Sequence, residues 1–488
     1  MTPQAQPLQK GPVLALIMAS YLMIVIDTSI VITGLPRIRD ELGFSPATLS
    51  WVHTAYTLSF GGLLMAGARA GDLLGRRRLL VAGLLLFVLA SLAIGLAPTP
   101  GFLVAARAVQ GVGSAILAPA TLALLSVTFA EGQERSRALG WYGATAGIGA
   151  SIGMVLGGVL ADTLSWRVGF FINVPIGLAL VWAACRFVRE PAPSQPTSGG
   201  LDLAGALLST LGMVALVYGL VEAAETTWLS PHSWGPLGLG VLLLSVFIAH
   251  EARTAAPLLP LRLFDSRVRS GAYAARVLFL AGVIGFWFYL TQYLQGVLGM
   301  RPLQAGMAFL PATVAQLMAA MSVSRLGQRL GHDRVLAIGV AVTALGMAWL
   351  AQLGPQGSYL ANVAWPMVVL GVGQGLTLSP LTIAGVAGVR AQDAGAASGL
   401  VNAAHQLGGS LGLAWLVVVF SASAHPGTGS VMDSKADLAH RVASCLGSSA
   451  VLLALSLVTV LLFVLQKRAA GGHDPVVLTS HGFRKDVS

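Results

Sequence analysis

Charge is scarce in this chain, acidic charge above all: 488 residues carry 19 Asp and Glu against 29 Lys and Arg, and charged residues of either sign make up 10% of the whole. Soluble domains carry nearer a quarter. With 55% hydrophobic residues and a mean hydropathy of +0.78, the surrounding solvent has to be mostly lipid. Cysteine is nearly absent; Cys185 and Cys445 are the two that occur, and they are expected near opposite membrane faces, which excludes a disulfide between them and a cysteine metal site. Signatures of bond-making chemistry are missing too. There is no H-E-x-x-H, no paired carboxylates and no nucleophile elbow, which argues against a membrane-embedded enzyme, and no G-x-x-x-x-G-K-[ST] loop to drive the chain with ATP. The net charge of +10 is spread over short clusters between apolar runs and forms no basic patch carrying aromatics, so it does not point to nucleic acid.

Long apolar runs are abundant. Stretches such as Leu79 to Ala97 and Val451 to Leu465 are continuous rather than alternating, which favours helices over a barrel because lipid-exposed backbone must satisfy its own hydrogen bonds. Windows of about 19 residues predict helices 1 to 6 at Val13–Thr33, Trp51–Ala70, Leu79–Ala97, Phe102–Phe129, Leu139–Ala161 and Val168–Val188. Helices 7 and 8 are predicted at Leu203–Val221 and Gly235–His250. Helices 9 to 14 follow at Gly271–Tyr293, Ala305–Val323, Val335–Leu353, Asn362–Val386, Ala396–Phe420 and Leu446–Leu465. The first run is of full span length with no small-residue cleavage site, and reads as a retained helix rather than a signal peptide. An even number of spans puts both termini on one side. Assigning that side to the cytoplasm places about 21 of the 29 basic residues inside, including Arg76, Arg77 and Arg78, and about six outside: Arg37, Arg39, Arg167, Arg301, Lys435 and Arg441. The remaining two, Arg69 and Arg107, fall within helices.

The chain repeats itself. Ala68-Arg-Ala-Gly-Asp-Leu-Leu-Gly-Arg-Arg-Arg78 aligns without gaps to Ser324-Arg-Leu-Gly-Gln-Arg-Leu-Gly-His-Asp-Arg334, each copy following the second helix of a six-helix half. Parallel halves of this kind are the architecture of alternating-access carriers, with the site between them near the midplane. The expected organisation is an N-terminal cytoplasmic tail (1–11), an N-terminal half (12–189), a linker carrying inserted helices 7 and 8 (190–268), a C-terminal half (269–466) and a cytoplasmic tail (467–488).

All acidic residues but one fall in loops, at helix ends or in tails; the exception is Asp27. A lone carboxylate at a helix centre costs roughly 2.5–3.5 kcal/mol on insertion scales and calls for a cavity or a partner. Counting depth at about 1.5 Å per residue puts Asp27 and Arg107 at matching depth below the outer boundary, so they are expected to pair. That pair is either a fixed structural element or a site where Asp27 loses and gains a proton. In helix 5, Gly149, Gly153, Gly157 and Gly158 form a small-residue seam that lets two backbones approach closely.

These segments together resemble the fourteen-helix drug:proton antiporter branch of the major facilitator superfamily. The resemblance rests on Asp27-Thr-Ser-Ile-Val-Ile-Thr-Gly-Leu-Pro36, the loop Ala68 to Arg78, Arg107-Ala-Val-Gln-Gly-Val-Gly113, the glycines of helix 5, Trp166 to Gly177, Tyr293 to Gly299 and Gly395 to Asn402, in that order. It implies an all-α major facilitator fold with two six-helix halves and two inserted helices, acting as an exporter of small hydrophobic or amphipathic compounds in a bacterial inner membrane. The proton gradient would be its energy source, with no cofactor, no metal and no nucleic acid, and it would work as a monomer in the lipid bilayer; an accessory periplasmic partner is left open. Asp27 would be the proton-coupling acid with Arg107 coupled to it. Arg69, Asp72, Gly75, Arg76 and Arg77 would form a cytoplasmic latch, and Gln110, Tyr56, Tyr289, Gln292, Gln316, Gln374, Asn402, His405 and Gln406 are the cavity candidates, about half of them expected to line it. His53 is expected at the interface.

Four positions depart from the family's pattern. Ala68 stands where glycine is usual and Leu73 where a basic residue is usual, which implies a weaker latch. Met154 replaces a proline and so removes a kink, and His405 stands where arginine is common. With one intramembrane acid, neutral or monocationic cargo is expected to be accommodated more easily than dications. A dedicated exporter of one endogenous metabolite or self-made antibiotic shares the same fold and mechanism.

Overall fold

The computed structural model describes residues 10–129, 133–188, 202–227, 230–254, 257–389, 394–424 and 431–465. They form fourteen long helices: α1 Lys10–Leu42, α2 Trp51–Leu74, α3 Arg76–Gly95, α4 Pro100–Thr128, α5 Gln133–Thr163, α6 Trp166–Phe187, α7 Leu203–Glu225, α8 Pro231–Glu251, α9 Arg267–Gly296, α10 Pro302–Leu330, α11 His332–Leu350, α12 Tyr359–Gly385, α13 Ala394–Ala422 and α14 Val431–Thr459. Twelve are long and apolar enough to cross a membrane by length and composition; α2 and α5 complete the bundle. Leu89, Leu96, Trp182, Leu242, Met321, Leu345 and Val451 are exposed, as lipid-facing positions of a membrane bundle should be.

Helices α1–α6 and α9–α14 form two six-helix halves, with α7 and α8 inserted between them in sequence. The internal repeat has a backbone counterpart. Gly75 separates α2 from α3 at φ 97, ψ 133, and Gly331 separates α10 from α11 at φ 90, ψ 142. Both are the eighth residue of their copy of the motif, and both adopt a conformation that a side chain strongly disfavours.

Two helices are longer than hydropathy indicates. The sequence ends helix 1 at Thr33, yet α1 continues through Pro36 to Leu42, because Leu35 and Ile38 are fully buried and anchor the polar last turns. The sequence starts helix 14 at Leu446, yet α14 begins at Val431; Ala439, Val442 and Cys445 are buried while Asp437 and Arg441 form an i,i+4 ion pair at 3.4 Å.

The halves meet along two seams. In one, α2 faces α13: Thr57 and Ser410 share a hydrogen bond at 2.6 Å, and a Cβ on Gly61 would lie 2.6 Å from Gln406 Cβ. The inserted α7 covers this seam, packing Met213 and Val217 with Leu58, Ala414 and Val417. In the other, α5 faces α10: Cβ atoms added at Gly158 would lie 2.6 Å from Pro302 O, and Asp162 approaches Arg301 at 3.9 Å. Gln295 of α9 donates to Thr33 O of α1 at 3.1 Å beside this second seam. The second seam lies toward the end of the bundle where Glu41 binds Arg167 and Trp166, at 2.8 and 2.6 Å.

Candidate functional site

The helix-5 glycines are what bring α1 close to α5. Cβ atoms at Gly149, Gly153 and Gly157 would come within 3.0 Å of Val25, Ile26 O and Ile30 respectively, so the stripe is a backbone-to-backbone contact against α1, while Gly158 faces α10 of the other half. Met154, in place of the kinking residue, is buried at 1% exposure within this packing. The contact fixes the segment of α1 that carries Asp27.

Asp27 and Arg107 form the expected ion pair, at 2.8 Å and with side chains 1% and 0% exposed. Arg107 Nη1 donates to Asp27 Oδ2, while Oδ1 accepts from Gln110 Nε2 at 2.8 Å and from Asn173 Nδ2 at 2.7 Å. Ser91 Oγ accepts from both amides, at 2.8 and 3.3 Å. Arg107 also donates from Nη1 to Gln110 Oε1 and from Nε to Val52 O, and its guanidinium lies 4.3 Å from the Tyr56 ring centroid. Tyr56 in turn bonds Ser114 at 2.8 Å. The network draws on five helices, α1, α2, α3, α4 and α6, with α4 supplying both Arg107 and Gln110, and both Asp27 oxygens are satisfied. Such a knot holds the N-terminal half together through one carboxylate's charge, and protonating that carboxylate would remove the acceptor strength on which its three donors, Arg107, Gln110 and Asn173, depend.

The other sequence candidates are spread. Gln110 and Tyr56 belong to the network just described and are fully buried. Tyr289 is buried and stacked on Phe420 at 5.2 Å with its hydroxyl beside Cys445, and Gln292 is buried one turn away. Gln374 is buried with Nε2 unpartnered, Gln316 is half-buried, and Asn402 is exposed with its amide turned back to Ser398 O at 3.1 Å. His405 and Gln406 are half-buried on α13 at the α2 seam. His53 is buried at 8% exposure rather than interfacial. Of the latch residues, Arg76 donates to Ala123 O at 3.3 Å and Arg77 to Cys185 O at 2.8 Å, carbonyls near the C-terminal ends of α4 and α6; the side chains of Arg69 and Asp72 lie outside the described residues.

Sequence reasoning missed three groups. Ser91 and Asn173 are neutral, and depth alone does not single them out from other mid-depth polar residues. The third, Arg276, corrects the charge inventory: it is a third arginine within a helix, inside the predicted span Gly271–Tyr293, and only 6% exposed. It donates to Thr382 Oγ1 at 3.0 Å and, at a long 3.5 Å, to His405 Nδ1.

The sequence profile of the Major Facilitator Superfamily matches residues 17–413. The chain is 40% identical over 469 residues to the cephamycin export protein CmcT of Amycolatopsis lactamdurans, covering 94% of each, and 41% identical over 415 residues to the puromycin resistance protein pur8 of Streptomyces alboniger, covering 83% of this chain and 81% of that one. Among solved structures it is similar to a bacterial homolog of the human lysosomal transporter Spinster in an inward-facing, unoccupied conformation, with TM-score 0.68, 14% identity, and 94% and 97% of the two chains covered.

Proposed function

The chain belongs to the major facilitator superfamily, and from that premise we propose that it is a proton-coupled exporter of small hydrophobic or amphipathic compounds, working by alternating access with Asp27 as the coupling acid. The observation that carries this reading is the Asp27 carboxylate itself, 1% exposed and tied by charge-assisted bonds to Arg107 and the Gln110 amide of α4 and to the Asn173 amide of α6. Gaining a proton there loosens α1 from α4 and α6 together, which is how a local charge change biases the packing of a whole half. The export or resistance named for the relatives at 40% and 41% identity supports efflux as the direction of transport.

Basic-residue asymmetry supports placing both termini in the cytoplasm of a bacterial cell membrane. The Glu41 end is then the outer end, and the α5–α10 seam closes it in this conformation. Tyr289, Gln292, Gln316, Gln374, Asn402, His405 and Gln406 are the candidate cargo contacts, and Arg69, Asp72, Gly75, Arg76 and Arg77 the cytoplasmic latch of the opposite state. The protein would act as a monomer and without a cofactor. The cephamycin and puromycin in the relatives' names favour a second reading, a dedicated exporter of one self-made antibiotic.

Uptake of a compound panel by everted vesicles under an imposed pH gradient tests the proposal. Gradient-driven uptake by the wild type and its loss in Asp27→Asn are expected; flux that needs neither the gradient nor Asp27 refutes proton antiport. Uptake confined to one compound class selects the dedicated exporter.

A further inference from the structure

Among the described residues, four Asp, Glu, Lys or Arg side chains are buried in the bundle: Asp27, Arg107, Glu251 and Arg276. Asp27 and Arg107 neutralise each other. Glu251 closes on the N–H of Leu259 at 2.9 Å, beside Asp202 and His250 at the end of α8. Arg276 alone stands as a buried formal charge with no carboxylate against it among the described residues. Its two hydrogen-bond partners, Thr382 Oγ1 and His405 Nδ1, are neutral acceptors, and its Nε is buried without any partner.

An uncompensated guanidinium in a water-poor bundle is costly, and arginine presents donors in a planar fork suited to a carboxylate. Local packing keeps Arg276 at this position. Gly408 and Gly412 let α13 lie directly on α9, a Cβ at Gly408 falling 2.6 Å from Val277 O, the residue next to Arg276. His405 is thereby brought against Arg276 from α13, and Thr382 from α12. The cluster also adjoins the seam between the halves, because Gln406, next to His405, packs on Gly61 of α2. A group bound to Arg276 would thus sit where three helices of one half meet a helix of the other.

We infer that Arg276, with Thr382 and His405 positioning it, receives the carboxylate of an anionic or zwitterionic cargo. This rests on the export reading and adds the cargo's charge class to it. Arg276 Nε and the free N–H of Nη2 supply the bidentate contact, Thr382 accepts from Nη1, and His405 as neutral imidazole accepts from the other N–H of Nη2. Asp27 is already matched by Arg107, so a carboxylate arriving at Arg276 completes a bundle in which each buried arginine has one acid.

The test is equilibrium binding to the full chain in nanodiscs of zwitterionic lipid, with no gradient, using 11-(dansylamino)undecanoic acid and its uncharged methyl ester as fluorescent probes. Wild type is expected to bind the acid about tenfold or more tightly than the ester. Arg276→Gln should erase that preference while leaving ester affinity within about twofold, Arg276→Lys should keep part of it, and Thr382→Val should weaken it. Equal binding of acid and ester by the wild type, or an undiminished preference in Arg276→Gln, overturns the inference. Should Arg276→Gln fail to fold, Arg276→Lys and Thr382→Val carry the same decision: an unchanged acid preference in both overturns it. Loss of the preference in nanodiscs of anionic lipid would identify a lipid phosphate as the occupant and overturn the assignment to cargo. Because no gradient is applied, failure of proton coupling in the vesicle experiment leaves this result intact, and failure here leaves coupling intact.

Discussion

Replacing Asp27 by Asn while keeping Arg107 separates a structural knot from a loose surface pair. The amide can present its oxygen to Arg107 Nη1, but its NH2 then faces Gln110 Nε2 and Asn173 Nδ2, both of which are donors; flipped, it faces Arg107 with a donor instead. Either rotamer leaves an unsatisfied buried donor and strips Arg107 of its counter-charge. Removing one partner of a buried pair costs about 3–5 kcal/mol, and both partners here are 0% and 1% exposed. Reversible unfolding in mixed micelles with rising SDS, followed by tryptophan fluorescence, reads that loss. The double variant Asp27→Asn with Arg107→Gln removes the stranded cation as well, so the two losses should fall short of their sum by about 2 kcal/mol or more, against the few tenths expected of independent sites. A loss below about 1 kcal/mol for Asp27→Asn, or additive losses, would refute the claim that this carboxylate holds five helices in register.

Gly75→Ala and Gly331→Ala should each destabilise by about 1–3 kcal/mol in the same assay, because both glycines sit at positive φ, whereas Gly101→Ala, with open space around its Cβ position, should be nearly neutral. Gly158→Val should keep α5 from closing on Pro302 and reduce bismaleimide cross-linking between cysteines placed at Asp162 and Arg301, which approach at 3.9 Å in the closed seam; unchanged cross-linking would show that this seam does not close the end. Asp202 is partly buried, which pushes its carboxyl up, but the Gly205 N–H and the His250 ring outweigh burial and hold it below the usual carboxylate range. Its contribution to anchoring the α7–α8 hairpin is therefore full above about pH 4 and lost as pH falls through the lowered value, so the stability difference between wild type and Asp202→Asn in the same SDS assay should shrink below about pH 4. Dications should be transported poorly by the wild type, and normal dication flux in Asp27→Asn vesicles would contradict both the coupling role and the single-acid argument.

Much of the fold was legible because lipid leaves the sequence few options. Hydropathy locates fourteen spans, and the loop repeat locates the two halves, with Gly75 and Gly331 as its conformational cause. Helix ends were not legible where burial, not hydropathy, extends a helix: Ile38 and Val442 sit among charges in sequence yet are fully covered in space. Depth counting paired Asp27 with Arg107 because both are charged and their helices neighbour one another. It could not select Ser91 or Asn173, since serine and asparagine at mid-depth are common and nothing in one sequence distinguishes those that turn toward a carboxylate.

Arg276 escaped for a different reason, and the reason bears on mechanism. An inventory that looks for acids assumes the costly charges in a bilayer are negative, and the guanidinium near a helix start is readily counted with the basic residues of the adjoining loop. Arg276 is ten residues into α9, counting from Arg267, behind Arg267 and Arg269 in sequence. In space those two differ from it: Arg269 is partly exposed and folds back on Leu263 O and Ala387 O, while Arg276 is turned into the bundle against α12 and α13. The two buried arginines therefore do opposite work. Arg107 has its acid built in, though its Nη2 is also buried without a partner, and a proton on Asp27 would upset the pair. Arg276 has no such acid among the described residues, so in the inferred role its half is completed only when an anion binds. On that basis protonation at Asp27 and anion binding at Arg276 act on different halves, and any coupling between them must pass through the seams that join the halves, where Thr57 meets Ser410 and Gly158 meets Pro302.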